Sequence, residues 1–406
     1  MSIRCKNFCV CNKDRQTKLI LLVYMKVKLP LVALLLGLSM TTLYAQHIDE
    51  SMVNFIREKA TRPADYIIEK FKKYDVVLLG EHHLIKQNLV FFQNLVPELY
   101  KNGIFNIGME FGASEVQGKL DSLVNAETYN ESLAREIMYA YNVAWGYQEY
   151  LDVYKAAWKL NRSLPNGSKK FRILNLSYLF NWNEFTGQRT IESMQAVFKK
   201  GTVDKYRAER IEEEVLRNGE KIVALVGTPH AYTRYGSPYF KYNGDDFCDY
   251  DHDWLGCRLY RKYPDRVFNI LLHQAFTKMD SGNYLLISPA QGAMERLMKV
   301  NGNKPLGFDL AGTPIGNLPD SSIHSMCYRN FTLGQLFDGY IFLEPLSELE
   351  GCTVIEGFVN EGNIEHTLLF FPDPDWHKPV KSLEDVRQFI QDNAKQISLD
   401  YNEIVD

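Results

Sequence analysis

Val76 to Leu79 is an apolar run of four that stops at Gly80 and opens into Glu81-His82-His83, and an amphipathic segment, Leu84 to Asn102, follows directly. A short apolar run ended by glycine reads as a buried strand, and the segment after it reads as a helix. A strand that opens into a helix places the intervening side chains at its carboxyl end, where open α/β sheets bind their ligands. One carboxylate and two imidazoles are costly to desolvate unless they are paired or put to use. The stretch points to an α/β sheet with chemistry at one edge.

The pattern recurs along the chain. Phe105 to Phe111 reads as a second strand that ends in Glu110 and is followed by Gly112, completing a β-α-β unit with parallel strands. Phe171 to Leu176 reads as a third, and Lys221 to Val226 as a fourth that stops in Gly227-Thr228-Pro229-His230. Further strands are expected at 267–272 and 338–343. The fold class is therefore α/β, a mainly parallel central sheet sandwiched by helices. A helical insertion follows the second strand, with helices at 113–125, 131–141 and 146–161. The last carries Tyr147, Tyr150, Tyr154 and Trp158 on one face, a stripe that packs in the core or walls a flat apolar ligand. Helices are also expected at 188–199 and 203–218. The second, with Glu209, Arg210, Glu212, Glu213 and Glu214, reads as a solvated face. Residues 232–253 read as loop or insertion, 277–335 as irregular, 353–371 as an edge hairpin and 382–396 as a C-terminal helix.

The first 45 residues read as an N-terminal extension plus a signal peptide. Met25-Lys-Val-Lys28 is a basic start, Leu29 to Met40 is apolar, and Ala45 precedes the expected cut. Translation is expected to start at Met25. The alternative is an uncleaved anchor, which would be the chain's membrane contact. No cysteine stands directly after the apolar region, so a lipoprotein anchor is not expected. The protein is expected to be exported, periplasmic or extracellular, with residues 46–350 forming the α/β domain and 351–406 an edge hairpin and helix of that domain. Without residues 1–45 the chain has 39 Lys and Arg against 49 Asp and Glu, a net charge of −10. No basic nucleic-acid footprint is present. Cys248, Cys257, Cys327 and Cys352 can pair in an oxidising compartment, and the spacing does not fix which.

Glu81 and His83, Glu110 and His230 all follow apolar strands, and in a parallel sheet they project at one edge. Such a set can hold a divalent metal, with His83, Glu110 and His230 as ligands. It can also work without metal, a carboxylate orienting a histidine that acts as base toward water. Gly80-Glu-His-His83 and Gly227-Thr-Pro-His230 share the form G-x-x-H. With Glu110 at the end of the second strand, this resembles the superfamily of ChaN-type haem-binding lipoproteins, TIKI/TraB-type metalloproteases and erythromycin esterases. The form at 80–83 is nearest the ChaN pattern. The resemblance spans roughly 75–345 and implies an α/β sandwich with Glu81, His83, Glu110 and His230 at the carboxyl ends of the strands. It also implies a hydrolase acting on a small-molecule or peptide substrate or, as the alternative, a haem-binding uptake protein without turnover. The ChaN motif continues with Asp-Asn and a further histidine, where this chain has Leu84-Ile85-Lys86-Gln87-Asn88.

Other residues carry less. His82 alternates with His83 and is expected to point elsewhere as readily as into the site. His273 ends a strand without a neighbouring carboxylate in sequence and reads as a core histidine. Asp249-Tyr-Asp251-His-Asp253 alternates like a calcium loop, but Trp254 and Tyr260 stand where the loop needs Gly and Glu. No nucleophile elbow or P-loop is present.

Overall fold

The computed structural model describes residues 48–243, 247–372 and 379–404. The signal segment and the start at Met25 lie outside the described residues. Two helices lead in, α1 (Glu50–Lys59) and α2 (Pro63–Lys70), followed by β1 (Val76–Glu81), α3 (Lys86–Lys101) and β2 (Asn106–Ala113). The insertion then supplies α4 (Gln117–Asn125), α5 (Glu131–Tyr141) and α6 (Gln148–Ser163) before β3 (Arg172–Ser177). Next come α7 (Ile191–Val197), α8 (Val203–Glu214), β4 (Ile222–Gly227), the hairpin of β5 (Ser237–Phe240) and β6 (Cys248–Asp251), α9 (Leu255–Lys262) and β7 (Val267–Leu272). A second hairpin, β8 (Phe276–Asp280) and β9 (Asn283–Ile287), precedes α10 (Ala293–Val300), β10 (Leu306–Asp309), α11 (Leu333–Leu336) and β11 (Gly339–Phe342). The chain closes with α12 (Ile364–Leu369) and α13 (Leu383–Asn402).

Seven strands form the central sheet in the order β10-β11-β7-β1-β4-β2-β3. All neighbours are parallel except the edge strand β10, which runs antiparallel to β11. β1 and β2 are parallel, as the β-α-β reading expects, but β4 lies between them. Successive strand residues point to opposite faces, and both faces are covered. Val77 and Leu79 of β1 join a core with Leu89, Phe92 and Val96 of α3 and Tyr150 and Tyr154 of α6. Val76 and Leu78 join a second core with Ile211 of α8, Leu255 of α9 and Met294 of α10. Burial on both sides explains why the strands read as continuous apolar runs rather than alternating ones.

Two expectations change, and the open cysteine pairing is resolved. The edge hairpin expected over 353–371 is not formed. Residues 364–369 are helical instead, and the segment before them is held by isolated bridges, Ile85 with Gly351 and Tyr147 with Val354. Residues 232–253, read as loop or insertion, form the first small hairpin, and 277–335, read as irregular, contain α10, β10 and all of the second hairpin but its first residue, Phe276. Cys248 pairs with Cys327, their Cα atoms 5.9 Å apart, while Cys257 and Cys352 are buried free thiols. Among the described residues no helix is long and apolar enough to cross a membrane.

Candidate functional site

The sheet brings all four predicted residues to one edge. Glu81 is the last residue of β1 and pairs in register with Gly227, the last of β4. Glu110 arrives from β2, on the far side of β4. The pairing of β2 with β3 slips after Met109 and resumes at Ala113. A bulge of this kind re-aims side chains, and here the Glu110 carboxylate turns to Gly227, whose N–H donates to Oε2 at 2.7 Å. Gly112 lies in the slip because a Cβ there would stand 2.1 Å from Asn175 Oδ1.

Glu81 is 2% exposed and its Oε1 is shared by two donors, His83 Nδ1 at 3.1 Å and the Tyr150 hydroxyl at 3.1 Å. With Nδ1 donating to Glu81, the lone pair of His83 is on Nε2. That nitrogen stands 4.0 Å from Glu110 Oε2, beyond hydrogen-bond range. The His83 ring meets Phe111 edge-on at 4.8 Å and Trp145 at 5.9 Å, and those two rings stack at 3.9 Å. The chain leaves through Leu84, whose φ of 68° is sparsely populated for a non-glycine residue. The strained turn is pinned on both sides. Leu84 N–H donates to the Tyr150 hydroxyl at 3.3 Å, and its carbonyl accepts from Cys352 N–H at 2.9 Å. Tyr150 thus belongs to the site, while Tyr147 and Tyr154 of the same stripe are core residues.

Two residues of the helix read as a solvated face complete the cluster. Arg207 of α8 is 3% exposed, and its Nη2 lies 2.9 Å from Glu110 Oε1. Its Nε donates to Ser177 Oγ at 3.0 Å, and that hydroxyl donates to the Glu110 carbonyl at 2.8 Å. His230 Nε2 lies 3.2 Å from Glu110 Oε1, and its Nδ1 lies 2.7 Å from Asp204 Oδ1, which also accepts from Leu255 N–H at 2.9 Å.

Burial and pairing set the charges. Burial raises the Glu81 carboxyl above the usual carboxylate range, outweighing its bonds from His83 and Tyr150. Burial also opposes ionisation of Glu110, but Arg207, then His230 and His83, hold it well below that range. For Asp204 the same opposition is overcome by His230 and Arg207, and its carboxyl is lowered. His230 pays for burial too, yet Glu110 and Asp204 on either side raise it to about 9. Two anions and two cations therefore share one site. A cavity of about 750 Å³ opens over Glu110, Asp204, Arg207 and His230, walled by Phe180, Met194 and Phe198.

The expectation that His83, Glu110 and His230 hold a divalent ion is not met. Among the described residues no group of three His, Cys, Asp or Glu is arranged to hold a metal. The donors are committed elsewhere: both oxygens of Glu110 and both nitrogens of His230 already have partners. His82 turns away from the others, its Nδ1 bonded to the Tyr401 hydroxyl on α13. His273 is buried as expected, but it does have a carboxylate, Glu295 of α10, with the Tyr340 hydroxyl on its other nitrogen.

The fold is similar to that of a succinoglycan biosynthesis protein, at 12% identity and a TM-score of 0.50, over 74% of this chain and 98% of that one. Erythromycin esterase EreC aligns at 11% identity and a TM-score of 0.46, over 70% of this chain and 96% of its own. ChaN of Campylobacter jejuni aligns at 15% and 0.36, over 55% and 91%. No curated protein matches the chain. Residues 67–164 match the family described as haem-binding uptake, Tiki superfamily, ChaN, and the superfamily resemblance read from the motifs is borne out over the segment that carries Glu81, His83 and Glu110.

Proposed function

We propose that the protein is an exported hydrolase-like member of this superfamily in which His83 activates water without a metal. The observation that carries the reading is the Glu81-His83 pair, with Nδ1 held by Glu81 and Nε2 facing Glu110 across 4.0 Å. An attacking water placed beside His83 Nε2 and Glu110 Oε2 loses its proton to His83 as its oxygen adds to a carbonyl carbon. Glu81 fixes the ring and faces the imidazolium that forms. Collapse of the adduct breaks the bond to the leaving group, which takes the proton back from His83. Arg207 and His230 hold Glu110 ionised and in place throughout. The disulfide between Cys248 and Cys327 supports export, because such bonds persist in oxidising compartments.

A screen of esters and peptides with the protein purified from residue 46 onward tests this. His83→Ala and Glu81→Gln are expected to lower kcat/KM by about 10²–10⁴-fold and Glu110→Gln to lower it as well, with chelators leaving wild-type activity unchanged. Turnover that survives in His83→Ala, or that EDTA abolishes, overturns the metal-free base.

Haem binding without turnover is the second reading, and the description of the matching family favours it. Of the histidine nitrogens at the cluster, His83 Nε2 is the one without a hydrogen bond. His230 uses both nitrogens, and the half-buried Tyr141 donates its hydroxyl to Ser177 Oγ at 3.4 Å. Haemin titration decides: a visible band that His83→Ala or His230→Ala removes favours uptake, and an unchanged haemin spectrum favours hydrolysis.

A further inference from the structure

The cavity above the cluster restricts what the site accepts, and the restriction rests on the hydrolase reading. Its floor holds Glu110, Asp204, Arg207 and His230, and each of these already faces an opposite charge within the group. Arg207 and His230 are the cations among the described lining residues, and Glu110 and Asp204 engage both. A carboxylate or phosphate entering here would be desolvated beside Glu110 and Asp204 with a single donor of Arg207, Nη1, not yet hydrogen-bonded to meet it, and an ammonium would compete with Arg207 for the same two carboxylates. Either outcome is costly in a buried site.

The walls are different. Phe180, Ile191, Met194, Phe198 and Val203 line the space, all of them from β3's exit, α7 and the turn into α8. Ile191 is 73% exposed and unpartnered by the core. A cavity of about 750 Å³ is within the size range of small-molecule sites, which combine apolar walls with a few fixed polar groups.

We infer that the site takes an uncharged ester, lactone or amide whose acyl or alkyl body is apolar and lies against the α7 wall, with its carbonyl at the floor. The reacting carbonyl sits beside Glu110, which lines the cavity and stands 4.0 Å from His83 Nε2, and the apolar body is removed from water by Phe180, Met194 and Phe198.

The test uses p-nitrophenyl acetate, butyrate and octanoate, and the glutarate half-ester as a charged match for the medium chain. Burial of each added CH₂ is expected to raise kcat/KM by about fourfold until the wall is filled, and the half-ester is expected to fall at least about tenfold below its neutral match. Phe198→Ala should flatten the chain-length series. Gln195→Lys, at an exposed rim position, adds a cation without touching the core and should recover the half-ester selectively. Binding is read separately in Glu81→Gln, where octanol should displace the neutral dye N-phenyl-1-naphthylamine and octanoate should displace it at least about tenfold less well. If no ester is turned over but octanol displaces the dye, the hydrolase reading falls and the apolar, uncharged site stands. If esters are cleaved with no dependence on chain length, or the half-ester is cleaved as well as its neutral match, the site preference is overturned and the hydrolase reading stands. Absence of both turnover and dye displacement overturns both.

Discussion

His83 works only if its ring stays where β4 leaves room for it. A Cβ built on Gly227 would stand 2.8 Å from His83 Nε2. Gly227→Ala is therefore expected to push the imidazole off its line to Glu110 and lower kcat/KM by about 10²-fold with the fold retained, read from kinetics together with far-UV circular dichroism. Arg207 makes the opposite prediction, a loss in stability. Arg207→Met leaves Glu110 buried without its strongest partner, and urea unfolding is expected to show a loss of about 3–5 kcal/mol; a loss under 1 kcal/mol would mean that water replaces the guanidinium. The two sets of residues also differ in how visible they are before folding. Glu81, His83, Glu110 and His230 each follow an apolar strand, so strand periodicity alone aligns them. Asp204 and Arg207 lie in a helix dominated by charge, and their signal is weaker: Val203, Arg207 and Ile211 share one face at i, i+4 spacing, which puts a guanidinium in an apolar stripe. Tyr150 was hidden differently, because a tyrosine in an aromatic stripe looks the same whether its hydroxyl reaches Glu81 or stays in the core.

At the scale of elements, buried strands and amphipathic helices carry a strong local pattern, and β1 to β4, β7, β11 and α3 to α6 lie where the sequence places them within a few residues. Neighbour order carries none. That β4 inserts between β1 and β2 follows from long-range packing, and without it Gly227 could not sit between Glu81 and Glu110. The two small hairpins were missed because Tyr239, Phe240 and Tyr284 are exposed, so their strands lack the alternation of a half-buried sheet. The β5–β6 hairpin instead draws on a covalent tie. The bond from Cys248 to Cys327 closes a sequence separation of 79 residues. In the chain-entropy account a loop of that length is worth about 4.5 kcal/mol. Cys248→Ser with Cys327→Ser is expected to lower the unfolding midpoint, and a reductant should lower the wild type to the same value without affecting the double variant. Equal midpoints for wild type and variant in oxidising buffer would show that the hairpin needs no staple.

For the whole molecule, the cluster at the sheet edge ties stability to pH, and the sign can be worked out from its members. His230 is raised from its usual 6.5 to about 9 by Glu110 and Asp204 against the opposing effect of burial. A group whose pKa rises on folding stabilises the protein fully below its unfolded value, and that contribution is lost as pH climbs through the folded one. The shift corresponds to up to about 3 kcal/mol at pH 6, gone by about pH 9.5. Glu110 and Asp204 are lowered, so their contribution is present above the usual carboxylate range and lost on acidification. The stability plateau is therefore expected between about pH 5 and 6.5. Residues 46–406 carry a net charge of −10, so rising pH also adds general repulsion, and a control must separate the two effects. His230→Asn supplies it. The variant is expected to be less stable than wild type at pH 6, and the gap should close as pH passes through 9, because deprotonation removes from the wild type what the substitution has already removed. Thermal unfolding of both proteins from pH 5 to 10 measures this directly. If the two curves fall in parallel, His230 is not the charged partner of Glu110, and the balance of two anions against two cations at the floor of the cavity has to be redrawn.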